Sequence, residues 1–339
     1  MISSIKATGK YLDQPLLVAK FKKNVPKVFI GGAMLFDAYQ VDKTPVDKKR
    51  ETAINTTAVL SATVASALAA PKIAAKIVGK EYDKYCIKEI KSKNTKLVNE
   101  FLSKEKVSDK VNVILAKAKD KVLSLKEIKI LDKTMKDSND GKKFMKDLIP
   151  EPENVTSKDI RKEIGRLSIL GFIPVAGGVA GGIAGEKLSE GKISKEKMGN
   201  RVKEGTYQYL ANIFMCNIGA GLALAGLEKA NIKSKSARAL GMVGGIIATG
   251  IVGGSTIANY IGKKFINPIF DGKQNKNRKK EGLNSERKPE VIDICLHTDD
   301  IATVAVMSGL KWIEPALPIL YGVSGYRAGI GYRNGKKEV

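Results

Sequence analysis

Residues 239–262 read ALGMVGGIIATGIVGGSTIANYIG, 24 positions without Asp, Glu, Lys, Arg or His, closed by Lys263 and Lys264. As a helix rising about 1.5 Å per residue, the stretch is roughly 36 Å long and can cross the ~30 Å hydrocarbon layer of a bilayer. Gly241 and Gly245 are four apart, as are Gly250 and Gly254. This spacing lines small residues along a helix face, where a neighbouring backbone can come close.

The same character continues towards the N-terminus. Residues 205–227 (GTYQYLANIFMCNIGAGLALAGL) carry no charge, and only Lys229 to Arg238 separates them from the first stretch, so the two are expected to form an antiparallel hairpin. In it Tyr207, Tyr209 and Tyr260 fall at one end, where an aromatic belt meets the headgroups. Asn212 and Asn217 are expected to hydrogen-bond across to another helix. Residues 167–185 (LSILGFIPVAGGVAGGIAG) are also uncharged, with Gly177, Gly181 and Gly185 in four-residue steps. Pro174 predicts a kink, which helices in lipid tolerate when neighbours satisfy the freed backbone group. Spans are therefore expected near 167–185, 206–228 and 239–262. A short capped helix, Lys158 to Arg166, precedes the first of them.

The N-terminal part reads differently. Val28 to Val41 predicts a short helix, too short to span. Thr52 to Pro71 is uncharged but rich in Ala, Thr and Ser, so it suits a span and a buried soluble helix about equally, and Pro71 should end or kink it. Lys72, Lys76, Lys80, Lys84 and Lys88 recur at every fourth position and would form one stripe on a helix. Such a stripe can lie along anionic headgroups or be an ordinary solvated face. Apolar residues at Val107, Val111, Ile114, Leu115, Ala118, Val122 and Leu125 keep helical periodicity and predict one amphipathic helix in a lysine-rich region. Asn139, Asp140 and Gly141 predict a turn. At the other end of the chain, residues 264–300 read as a basic linker and 301–325 as a broken apolar helix, with Trp312 suited to an interface. Asp37 beside an apolar run is the one carboxylate placed like those that mark transport paths.

Charge limits the partners. The sequence holds 59 Lys and Arg against 35 Asp and Glu, a net +24, and all but nine of the basic residues are Lys. Lysine is a hydrated point charge, whereas arginine is favoured for bidentate base and phosphate recognition. The surplus suits diffuse attraction to anionic headgroups, with Lys263 and Lys264 joining the lysine stripe as lipid contacts, and makes nucleic acid an unfavoured partner. Cys86, Cys216 and Cys295 give no disulfide framework or metal spacing. The single histidine, in His297-Thr298-Asp299-Asp300, reads as a helix start. No phosphate-loop motif occurs, so no catalytic, cofactor or metal site is expected and the chain is read as a non-enzyme. No secretory signal peptide is evident.

These readings combine into an all-α, Gly/Ala-rich membrane helix bundle with a basic amphipathic helical N-terminal region. Its segments are a basic arm (1–51), an apolar helix with Lys-rich helices (52–150), a Gly-rich core (151–263), and a basic linker with a broken helix (264–339). The expected function is that of a multi-pass, non-enzymatic protein of a bacterial or organellar inner membrane, and its small-residue faces also allow a homo-oligomer. Two alternatives stand beside it: a pore-forming or membrane-remodelling protein that is soluble until it inserts, and a soluble nucleic-acid-associated protein. Every loop is basic, so charge asymmetry sets no orientation.

Overall fold

The computed structural model describes residues 8–79, 86–150, 157–232, 235–270 and 311–331, and among them all regular structure is helical. In chain order the helices are α1 (Pro15–Lys43), α2 (Lys49–Val78), α3 (Ile87–Lys104), α4 (Asp109–Ala118), α5 (Leu125–Met135), α6 (Asn139–Leu148), α7 (Ser157–Glu190), α8 (Lys195–Lys229), α9 (235–270) and α10 (Leu317–Ile330). A 3-10 turn, Lys311–Ala316, leads into α10. The fold is all-α. The chain forms two compact units: one takes the described residues up to Pro26, 86–150 and 311–315, the other 27–79, 157–270 and 316–331. This division departs from the four sequence segments because α2 packs on α7, not on the lysine-rich helices that follow it in sequence.

The first unit buries one apolar face from each of its short helices. Val98 and Phe101 of α3, Ile114 and Leu115 of α4, Ile128 and Leu131 of α5, and Phe144 and Leu148 of α6 make its core, with Phe101 and Phe144 stacked at 4.6 Å between centroids. The amphipathic stretch is two helices, not one. α4 ends at Ala118, Leu123 is fully buried, and Ser124 starts α5 with a capping box: its hydroxyl accepts from the Glu127 amide, and its own amide donates to the Glu127 carboxylate at 2.6 Å. A local cap that satisfies two orphan amides competes well with continued periodicity. Gln14 holds the intervening backbone by giving and taking a hydrogen bond at Leu123, 2.9 and 2.8 Å. Asn139 to Gly141 likewise begin a helix where a turn was expected, because the Ser138 hydroxyl accepts from the Gly141 amide.

In the second unit the apolar helices are longer than their uncharged stretches. α7 runs unbroken from Ser157 to Glu190, so the expected short helix at 158–166 is its first turns and Pro174 lies inside it. α2 continues past Pro71 to Val78, where Gly79 closes it at φ +69° with its amide on the Ala75 carbonyl. Proline costs one hydrogen bond, a local loss that packing of an entire helix face outweighs. The lysine stripe therefore does not lie on a single helix: Lys72 and Lys76 are on α2, Lys88 is on α3, and Lys80 and Lys84 fall outside the described residues. The short helix expected at 28–41 is the second half of α1, which also passes through a proline, Pro26. Its Phe36 meets Tyr326 edge-on, with 5.2 Å between centroids.

Among the described residues helices α2 and α7 share the most extensive contact, and α10 packs against both and against α8. α10 carries the part of the C-terminal broken helix that is described; 301–310 and the linker, with His297 to Asp300, fall outside the described residues. α8 and α9 form the hairpin that their spacing predicts. Each contains π-helical turns, Leu210–Phe214 in α8 and Ile247–Gly254 and Gly262–Ile266 in α9.

One carboxylate offers a pH test of the first unit. Burial pushes the Glu127 carboxyl up, but hydrogen bonds from the Lys117 ammonium and from the Ser124 amide and hydroxyl outweigh it and hold the group below its ordinary value. A lowered folded-state value stabilises the fold above the unfolded carboxyl pKa of about 4.3, and the contribution disappears as pH falls through the folded value. Glu127→Gln, which keeps a capping side chain, should lower protection from hydrogen exchange across 109–149 at neutral pH. The loss should be no more than about 1 kcal/mol, the ceiling for a solvent-open pair, and the difference from the native protein should vanish on acidification.

Candidate functional site: glycine faces and a polar seam in the long helices

Among the described residues, four helices are long and apolar enough to cross a membrane: Val46–Val78, Lys158–Glu190, Lys195–Lys229 and Leu240–Phe270. Only 39, 50, 50 and 31 % of their respective apolar windows are buried within the protein. Large apolar side chains point outward along them, among them Phe172, Leu222, Ile247 and Ile257. Beside aliphatic side chains such as Leu167, Leu170, Ile213 and Leu224, the helices turn glycines and polar groups inward.

The glycines mark where helices nearly touch. A Cβ on Gly181 would sit 2.7 Å from the Ala58 carbonyl oxygen of α2, and one on Gly185 2.9 Å from Asn55 Oδ1. Gly177 meets Ser66 in the same row. Sequence reading missed the second face of α7, where Gly178 abuts the Gly325 carbonyl and Gly182 the Gly329 carbonyl, although Gly325 and Gly329 share the four-residue step. α7 is thus clamped between α2 and α10, which explains two adjacent glycines at each of two consecutive turns. In the α8–α9 hairpin Gly245 lies on Gly219, Gly250 on the Cys216 thiol, Gly254 on the Ala211 backbone, and Gly241 against Leu227.

The polar seam runs down α8. Gln208 Nε2 donates to Glu204 Oε1 at 2.8 Å, and Asn212 Nδ2 donates to Gln208 Oε1 at 2.9 Å; all three side chains are buried. Four-residue spacing places each polar group within reach of the next on one face. The π-helical turn at Leu210–Phe214 then lengthens the repeat to five, bringing Asn217 onto the same line. The expectation that Asn212 would bond to another helix is corrected, since its amide is used along its own helix. Asn217, buried too, has neither amide atom hydrogen-bonded among the described residues. Near the start of α8, Arg201 pairs with the fully buried Glu186 of α7 and donates from Nε to the Gly329 carbonyl of α10 at 2.9 Å. The other Glu186 oxygen accepts from the Ser194 amide at 2.7 Å in the α7–α8 turn. One guanidinium and one carboxylate thus tie three helix ends together, with the hydrogen bonds a buried pair needs to offset desolvation. These residues were legible only as charges in a loop.

Tyrosine placement is mixed. Tyr260 is exposed with the Lys264 ammonium 5.3 Å over its ring, and Tyr209 is half-buried against Phe172, 5.2 Å between centroids. Tyr207 is not an interface residue: it is buried, its hydroxyl 3.1 Å from Ser255 Oγ, because it faces the other arm of the hairpin. Trp312 lies in the turn before α10, its side chain outside the described residues. Lys72, Lys76, Lys88, Lys263 and Lys264 are exposed. Asp37 Oδ2 accepts from the Thr57 hydroxyl of α2 at 2.6 Å.

The chain is therefore an all-α protein with four helices suited by length and composition to a bilayer. Comparison with protein-family models, with curated proteins and with solved structures found no match.

Gly178→Ala places a methyl group into the Gly325 backbone and should cost about 1–3 kcal/mol in thermal unfolding of the detergent-solubilised protein. Gly244→Ala, at a helical glycine with open space around it, should be neutral or gain up to about 1 kcal/mol.

Proposed function

We propose that this protein is a multi-pass integral membrane protein of a bacterial or organellar inner membrane, without enzymatic activity, whose helices assemble through small-residue faces and whose lysine-rich surfaces contact anionic lipid. The observation that carries the reading is the direction in which the four long helices sort their residues. Close-packed glycines such as Gly178, Gly181 and Gly219 and the side chains of Glu186, Arg201, Glu204, Gln208, Asn212 and Asn217 are inside, while Phe172, Leu222, Ile247 and Ile257 are outside. A helix in water does the reverse, and a helix hydrophobic towards its outside needs lipid or protein to cover it. Lys263 and Lys264, which follow the uncharged stretch of α9, and Lys72 and Lys76 towards the end of α2 are exposed, which supports a role as headgroup contacts.

The protein should stay in the pellet when membranes are washed with alkaline carbonate and leave it only with detergent. Release into the carbonate supernatant would contradict the reading.

A further inference from the structure

We propose that the groove between α7 and α8 is a binding site for one anionic membrane phospholipid, an acyl chain along the groove and the phosphate between Lys187 and Lys195. The inference rests on the membrane reading above and adds a particular lipid and a particular place.

The groove encloses about 450 Å³ and opens to the outside. Its walls are apolar: Val175, Ala176, Val179 and Ala180 on one side and Gly205 and Leu210 on the other, with the Phe172–Tyr209 ring pair at one end. The hollow exists because its middle positions are small, and Ala176 and Ala180 are exposed there, not packed. Thr206 in the wall spends its hydroxyl on the Val202 carbonyl at 2.8 Å, and the other polar lining group is the Tyr209 phenol at the far end, so the length of the groove is apolar. From Phe172 to Ile183 the groove is roughly 16 Å long at about 1.5 Å per residue, close to the ~15 Å depth of one leaflet.

Charge identifies the occupant's other end. Four residues beyond Ile183 the same face of α7 presents Lys187, and seven residues before Val202 the same face of α8 presents Lys195, both exposed. The acidic groups nearby are engaged or turned away. Glu186 is buried against Arg201, Glu190 pairs with Lys197, and Glu196 is rotated by about 100° from Lys195 on its helix. A molecule with a long apolar chain and an anionic head matches this order of surfaces, and in a bilayer that molecule is an acidic phospholipid.

The full-length protein, purified in detergent, would be incubated with phosphatidylglycerol or phosphatidylcholine and its bound lipid counted by native mass spectrometry. The native protein should retain one phosphatidylglycerol in preference to phosphatidylcholine. Ala176→Phe with Ala180→Phe should lower retention of both lipids about ten-fold by filling the groove. Lys187→Gln with Lys195→Gln should erase most of the preference, about ten-fold, and leave phosphatidylcholine retention unchanged. Lys72→Gln with Lys76→Gln should leave both unchanged. Each variant is first matched to the native protein by circular dichroism and size-exclusion chromatography. Native-like retention by the phenylalanine pair, or a preference that survives the first glutamine pair or is lost with the second, overturns the site. Carbonate washing of the membranes from which each protein is purified, before detergent is added, separates the two inferences. Pelleted protein with unaltered lipid retention defeats the lipid site alone, whereas protein released by carbonate defeats the membrane reading on which it rests.

Discussion

At Gly178 and Gly325 two helix backbones come so near that a methyl group on Gly178 would strike the Gly325 carbonyl and one on Gly325 the Pro174 carbonyl. This contact sets the rest of the second unit. Because α7 has glycine on two faces, α2 and α10 can both lie against it at backbone distance, with small or β-branched side chains such as Val59, Ala62, Thr63 and Ser66 at the contacts. Helices that approach so closely gain dispersion energy and bury little apolar side-chain area. That is the economy of packing in lipid, where excluding water between helices supplies no driving force. Some large apolar side chains, Phe172, Leu222 and Ile247 among them, are left on the outside.

The same logic explains why the polar groups are where they are. A buried carboxylate and guanidinium are costly unless each has further hydrogen bonds, and Glu186 and Arg201 obtain theirs from the Ser194 amide and the Gly329 carbonyl. Both lie within a turn or two of a helix end, so their pairing fixes the ends of α7, α8 and α10 relative to one another. Deeper along α8, Glu204, Gln208 and Asn212 use each other, and the π-helical turn that follows keeps Asn217 in line. A file of amides and a carboxylate buried throughout a helix this long and apolar makes α8 the helix whose substitutions are expected to be least tolerated.

Much of this was legible in the residues. The four-residue glycine steps located the seams at Gly177, Gly181 and Gly185 and at Gly245, Gly250 and Gly254, because the helical period converts spacing directly into a face. Uncharged length pointed to three spans, and α2 proved apolar and long enough to be a fourth. What was not legible depends on partners. Whether proline ends a helix is decided by how much packing holds the flanking turns together, and at Pro26, Pro71 and Pro174 the helix continues. Whether tyrosine faces a headgroup or a neighbour is decided by helix rotation, so Tyr207 reads identically to Tyr209 in sequence yet is buried. In the first unit the caps at Ser124 and Ser138 overrode periodicity, since a serine hydroxyl at the right step ends one helix and starts another within a few residues. The groove between α7 and α8 had no sequence signature: it is made by what Ala176, Ala180 and Gly205 lack.

The account turns on what lies against the outward apolar side chains of α7, α8 and α9. Nitroxide labels placed singly at Phe172, Leu222 and Ile247, in protein with Cys86, Cys216 and Cys295 replaced and reconstituted into lipid vesicles, report this directly through collision with paramagnetic probes. The account predicts that all three labels are relaxed efficiently by oxygen, which partitions into hydrocarbon, and poorly by a water-soluble nickel chelate. Efficient relaxation by the chelate at these positions would place them in water and contradict it.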